Sequence, residues 1–168
     1  LSNFTPEQVA QATKHAPIQS IQSAYNMLQR VNGEILIPWC KDVGIGVLVY
    51  SPLGQGLLTG TYKPGVQFES ADIRNEDKLK VWQGENYRRI FAVTERLRKW
   101  AEDHSRDIVQ LAIAWTLANQ NVSSSLVGAR DPEQIYHNVQ AANWRLSDSD
   151  LIELETIQAG FALPHDRW

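Results

Sequence analysis

Three places in this 168-residue chain combine residue types and spacings that can do chemistry. The first is Gly128-Ala129-Arg130-Asp131-Pro132-Glu133, where a strand-like run gives way to a helix with Asp as N-cap and Pro in its first turn. A helix start presents unpaired amides and the positive end of a dipole, which suits an anion. A guanidinium beside it can grip a phosphate through paired hydrogen bonds. Gln134 and Asn138 follow four residues apart, on one face of that helix. The second place is Tyr50-Ser51-Pro52-Leu53-Gly54-Gln55-Gly56, a strand end running into a glycine-bearing turn whose hydroxyl and amides can approach an anion closely. The third is a scatter of polar residues, Ser2, Asn3 and Gln22, whose side chains can both donate and accept. Each also has a plain reading: Arg130 a surface charge, Asn3 a turn residue, Gln22 a polar strand position, Tyr50 a packing ring.

The elements that must hold these residues follow from periodicity. Thr5 before Pro6-Glu7 caps a first helix that runs toward Pro17, and Ile18 to Ser23 reads as a strand. Glu34 to Asp42 has helical spacing, weakened by Pro38 and closed by Gly44. Ile45 to Tyr50 is a near-continuous apolar run, the pattern of a parallel strand covered on both faces. Gly54 to Asn86 mixes glycine, proline and charge, and reads as a long excursion that serves as a lid or binding loop. Two helices are expected over Tyr87 to His104 and Asp107 to Asn119, a strand over Val122 to Val127, and helices over Pro132 to Ala142 and Ser147 to Ile157. Short strands alternating with helices imply an α/β chain with a parallel sheet. Three strands leave open edges, so the sheet is expected to be incomplete on at least one side.

Five segments in order resemble the C-terminal half of an aldo-keto reductase. They are Leu1-Ser2-Asn3-Phe4, Gln22 to Asn26, Tyr50-Ser51-Pro52-Leu53 with Gly54 to Gly60, Ala112-Ile113-Ala114-Trp115, and Gly128 to Gln134 continuing to Asn138. The resemblance runs essentially end to end and implies the C-terminal portion of a (β/α)8 TIM barrel: a single partial domain over 1–168, with 54–86 looping over the C-terminal rim and 147–168 a final helix and tail. In such barrels functional groups gather at the C-terminal ends of the strands, where these motifs fall. The resemblance further implies NADPH as cofactor. Arg130 and Gln134 would meet its 2'-phosphate and Asn138 its adenine. Ser2, Asn3 and Gln22 would hold the nicotinamide carboxamide, and Tyr50 would stack on the ring. Ser51, Leu53, Gly54 and Gln55 would face the pyrophosphate. Trp82, with Phe68 and Tyr87 nearby, is a candidate for the carbonyl-substrate pocket. His137 stands where the family often has Glu, and is expected either near the phosphate or, preferably, facing solvent.

The family's catalytic Asp, Tyr, Lys and His belong to its N-terminal half and have no counterpart here. Asp131 and Tyr136 reproduce an Asp-to-Tyr interval without the surrounding motif, and His15, His104 and His165 have no partner motif. The implied function is reduction of an aldehyde or ketone, with this chain supplying the cofactor-binding half and an N-terminal half supplying the acid. A non-catalytic NADPH-binding sensor module and an inactive truncated fragment are the alternatives. A self-associated half barrel paired through its open edges is a further possibility. Net charge of −3 argues against a general nucleic-acid or membrane-surface binder. The lone Cys40 excludes an internal disulfide and points to a reducing, cytoplasmic setting. No metal-ligand spacing is visible.

Overall fold

The computed structural model describes residues 1–75, 79–159 and 161. His165 and most of the tail after the last helix lie outside them. Three strands, β1 (Ser20–Ala24), β2 (Gly46–Tyr50) and β3 (Ser124–Leu126), form a parallel sheet in chain order. Gln22 pairs with Leu48, Ala24 with Tyr50, and Tyr50 with Leu126. The chain start adds a further pairing on the outer side of β1. Gln22 N–H donates to the Leu1 carbonyl at 2.8 Å and Asn3 N–H to the Gln22 carbonyl at 2.9 Å. Leu1-Ser2-Asn3 thus runs alongside β1 as a short parallel bridge.

Seven helices accompany the sheet among the described residues: α1 (Pro6–Ala12), α2 (Val31–Glu34), α3 (Leu36–Asp42), α4 (Gly84–Asp103), α5 (Ile108–Ala118), α6 (Pro132–Gln140) and α7 (Asp148–Gln158). Four of their starts are specified by side-chain caps. Thr5 and Ser147 make capping boxes with Gln8 and Asp150, while Asp107 and Asp131 cap α5 and α6. The single helix expected over 34–42 is instead two, broken at Ile35. Pro38 explains the break. It has no N–H to give back to Glu34 and is tolerated only where a new helix is in its first turn.

Val47 and Val49 of β2 are fully buried with Ile21, Val9, Ile37 and Cys40 beneath α1 and α3. The opposite side chains of β2 are only half-buried, which corrects the expectation of a strand covered on both faces. A barrel interior is filled by layers drawn from several strands. Among the described residues this face is drawn from three strands, through Gln22, Ala24, Leu48, Tyr50, Ser124 and Leu126. A second core joins Met27, Leu57 and Leu58 to α4, α5 and α7 through Ile90, Leu97, Leu111 and Leu154. Each such fully buried aliphatic side chain stabilises by about 1.5–3 kcal/mol, enough to anchor the rim turn carrying Leu57 and Leu58.

Candidate functional site

The C-terminal ends of the strands form a row running from Asn3 through Tyr50 and Ser51 to Gly128. Parallel strands lie about 4.8 Å apart, so the row spans about 14 Å. Three of its residues, Asn3, Ser51 and Gln55, are non-glycine residues at positive φ (57°, 54° and 55°). Such conformations persist only where surrounding contacts impose them and collect at functional positions. Those contacts are visible at Ser51: its carbonyl accepts from the buried Asn26 Nδ2 at 3.0 Å and from Gly54 N–H at 2.9 Å. Asn26 Oδ1 meanwhile accepts the amides of Leu28 and Gln29, fixing the exit of β1 to the exit of β2.

At one end of the row Tyr50 donates its hydroxyl to Asn3 Oδ1 at 2.9 Å, and Asn3 is held by backbone pairing to Gln22. Ser2 faces Gln22 across the same bridge. These four residues are therefore neighbours, and among the described residues the Asn3 amide nitrogen has no hydrogen-bond partner.

At the other end lies a cavity of about 570 Å³. It brings together Leu53, Gln55 and Gly56 of the rim turn with Gly128, Arg130, Gln134 and Asn138, which are 70 or more residues further along the chain. Thr59, Thr61, Tyr62 and Arg74 complete it from the loop side and Val109 and His137 from the helix side. Gly56, at φ 103°, permits the closeness: a Cβ there would lie 3.0 Å from the Tyr62 ring and 3.6 Å from Arg74 Nη1. Ser51 and Gly54 brace the turn and do not line the cavity.

The anion-binding logic of the 128–138 segment differs in detail from the one expected. The amides at the start of α6 are largely taken. Asp131 Oδ1 accepts from Gln134 N–H at 2.8 Å, Gln134 Oε1 accepts from Arg130 N–H at 3.0 Å, and Pro132 has none to give. Asn138 Nδ2 reaches the Gly128 carbonyl at 3.5 Å. Gln134 and Asn138 thus bind the loop to the helix, and the positive group presented to the cavity from this side is the Arg130 side chain.

Sequence reasoning did not single out Arg74 or the surroundings of His137. Arg74 is clamped by Asp72, whose Oδ1 accepts its Nε–H at 2.8 Å, and its guanidinium lies 4.2 Å from the Phe68 ring centroid and 4.8 Å from that of Tyr62. Asp-x-Arg within an aromatic-bearing loop was the available signal. Trp82 is buried in the same aromatic group, 4.9 Å from Phe68 and 5.1 Å from Tyr87, and does not line the Arg130 cavity. His137 does not simply face solvent: its Nε2 meets Asp107 Oδ2 at 2.5 Å. Asp131 and Tyr136 have no shared role, the first being a cap and the second 73% exposed.

Two guanidiniums, side-chain amides and hydroxyls line one cavity, and the polar set of Asn3, Gln22 and Tyr50 stands at the other end of the strand-end row; the first has the chemistry to meet an anion and the second to meet a neutral polar group. Among the described residues no helix is long and apolar enough to cross a membrane.

The Aldo/keto reductase family model matches residues 1–159. The chain is 36% identical to the NADH-specific methylglyoxal reductase of Escherichia coli over 89% of its own length and 44% of that protein's. It is 32% identical to the aldo-keto reductase YhdN of Bacillus subtilis, covering 94% of the chain and 47% of the relative. It superposes on a glycerol dehydrogenase of Gluconobacter oxydans with a TM-score of 0.86 at 29% identity, over 95% of this chain and 48% of the other. The chain therefore spans about half the length of the relatives it matches.

Proposed function

The chain belongs to the aldo/keto reductase family, and from that premise we propose that it carries the coenzyme-binding half of an NADPH-dependent oxidoreductase that reduces aldehydes or ketones. The observation that carries this reading is the convergence of Leu53 and Gln55 with Arg130, Gln134 and Asn138 on one cavity that also receives Arg74. Two arginines there favour a 2'-phosphate over a 2'-hydroxyl. Gln55 and its neighbours in the turn would hold the pyrophosphate, and Asn138 the adenine. Ser2, Asn3 and Gln22 orient the carboxamide, and the Tyr50 ring backs the nicotinamide, its hydroxyl held by Asn3. When bound, the reduced nicotinamide supplies the hydride. The chain's own residues select and orient the coenzyme and present one face of the ring to the strand-end row. The general acid that protonates the carbonyl oxygen comes from outside these 168 residues. Trp82 and its aromatic neighbours stiffen the loop that borders the substrate side.

The preference for NADPH is proposed from this chain's own arginines and not from its relatives, one of which, the methylglyoxal reductase, is NADH-specific by name. The test is to titrate the native, full-length protein with NADPH and with NADH by tryptophan fluorescence, then to follow NADPH consumption with a panel of small aldehydes and ketones. Tighter NADPH binding with carbonyl-dependent consumption is expected. Binding without consumption across the panel would leave the sensor-module reading, and no binding would refute the assignment.

A further inference from the structure

His137 lies on α6 three residues beyond Gln134 and beside Asn138, and it lines the cavity that Arg130 and Arg74 enter. Its Nε2 is 2.5 Å from Asp107 Oδ2. A carboxylate only accepts, so Nε2 is the nitrogen that carries the proton in this contact. The other Asp107 oxygen accepts Val109 N–H at 2.9 Å and Gln110 N–H at 3.0 Å as the cap of α5. The carboxylate is therefore pinned at a fixed place and cannot swing away. Asp107 itself does not line the cavity, whereas His137 does. The imidazole stands between a fixed negative charge and a space whose arginine lining groups, Arg74 and Arg130, are positive.

That placement has a consequence for selectivity. An acidic side chain beside a ribose accepts from a free 2'-hydroxyl and repels a 2'-phosphate. An uncovered Asp107 would work against the two arginines. We infer that His137 is a specificity-determining residue that screens Asp107 from the cavity and so keeps the site selective for a dinucleotide bearing a 2'-phosphate. The inference rests on the coenzyme reading above and adds to it a pair joining α5 to α6.

The test measures dissociation constants for NADPH and NADH with the native, full-length protein at low ionic strength. The wild type is compared with His137→Ala, Asp107→Asn and the double variant. Asparagine keeps an oxygen for capping α5 and removes the charge. His137→Ala should lower the ratio of NADPH to NADH affinity about threefold to tenfold, the scale of one exposed unit charge near a dianion, with the effect shrinking as salt rises. Asp107→Asn alone should move the ratio little, and in the double variant it should restore most of the loss. An unchanged ratio in His137→Ala overturns the inference, as does a loss that Asp107→Asn fails to relieve. Equal weakening of both dinucleotides also overturns it, because that is the mark of a packing role. A wild-type protein that binds neither dinucleotide refutes the coenzyme site itself, a failure visible before any substitution is made.

Discussion

Replacing Arg130 by alanine tests the phosphate grip. The Arg130 main chain is fixed by its N–H to Gln134 Oε1 at 3.0 Å, and its side chain lines the cavity from an exposed position. A hydrogen bond to a charged group contributes about 1.5–3 kcal/mol. Exposure to solvent and the second guanidinium, Arg74, both place the expected loss at the lower end, about 1.5 kcal/mol. That corresponds to roughly a tenfold rise in Kd for NADPH. NADH has no 2'-phosphate, so its Kd should change by less than about twofold. Arg130→Lys should fall between, keeping the charge and losing the planar fork. Isothermal calorimetry at two salt concentrations gives both the ratio and its screening, and the difference between the coenzymes should narrow as ionic strength rises. Equal losses for both coenzymes, or a normal NADPH Kd in Arg130→Ala, would refute the reasoning.

Two further substitutions probe what holds the site in place. Gly33→Ala would set a Cβ 2.6 Å from Tyr25 Cε2, and the Tyr25 ring is buried 4.9 Å from that of Trp115. We expect a loss of about 1–3 kcal/mol, read as a lower urea midpoint at unchanged slope; an unaltered midpoint contradicts the packing described. The Arg74 side chain, hydrogen-bonded to Asp72, holds that carboxyl down to about 2, well below its ordinary 3.8. A depressed carboxyl stabilises the folded loop fully above its ordinary value, and that contribution fades as pH falls through about 2. The Arg74 Nε–H resonance should therefore survive to about pH 3 and be lost at neutral pH in Asp72→Asn; loss in the wild type already at about pH 4 would show the clamp to be absent.

Much of this architecture is legible in the residue order because its determinants are local. The Thr5, Asp107, Asp131 and Ser147 caps mark four helix starts, and the β-branched run of β2 marks the central strand. Arg130, Gln134 and Asn138 share a helix face by simple spacing. The rest depends on chain folding. Pro38 breaks a pattern that periodicity alone would continue, and β2's second face is only half-buried because the coverage of a face is settled by tertiary packing, not by the strand's own residues. Arg74 reaches Arg130's cavity across more than fifty residues of chain. His137 finds Asp107 across thirty, and no repeat of hydrophobicity reports such a pairing. The burial of Trp82 among Phe68, Tyr62 and Tyr87 is likewise a tertiary fact, since a loop tryptophan in sequence is equally a wall of a pocket or a piece of its foundation.

The central claim is where the adenosine end of the coenzyme lies. A crystal structure of the native protein with NADPH bound tests it directly. The 2'-phosphate should lie within about 2.7–2.9 Å of the Arg130 guanidinium, inside the cavity bounded by the turn at Gln55 and by α6. A phosphate found outside that cavity, with Arg130 turned to solvent, would contradict it.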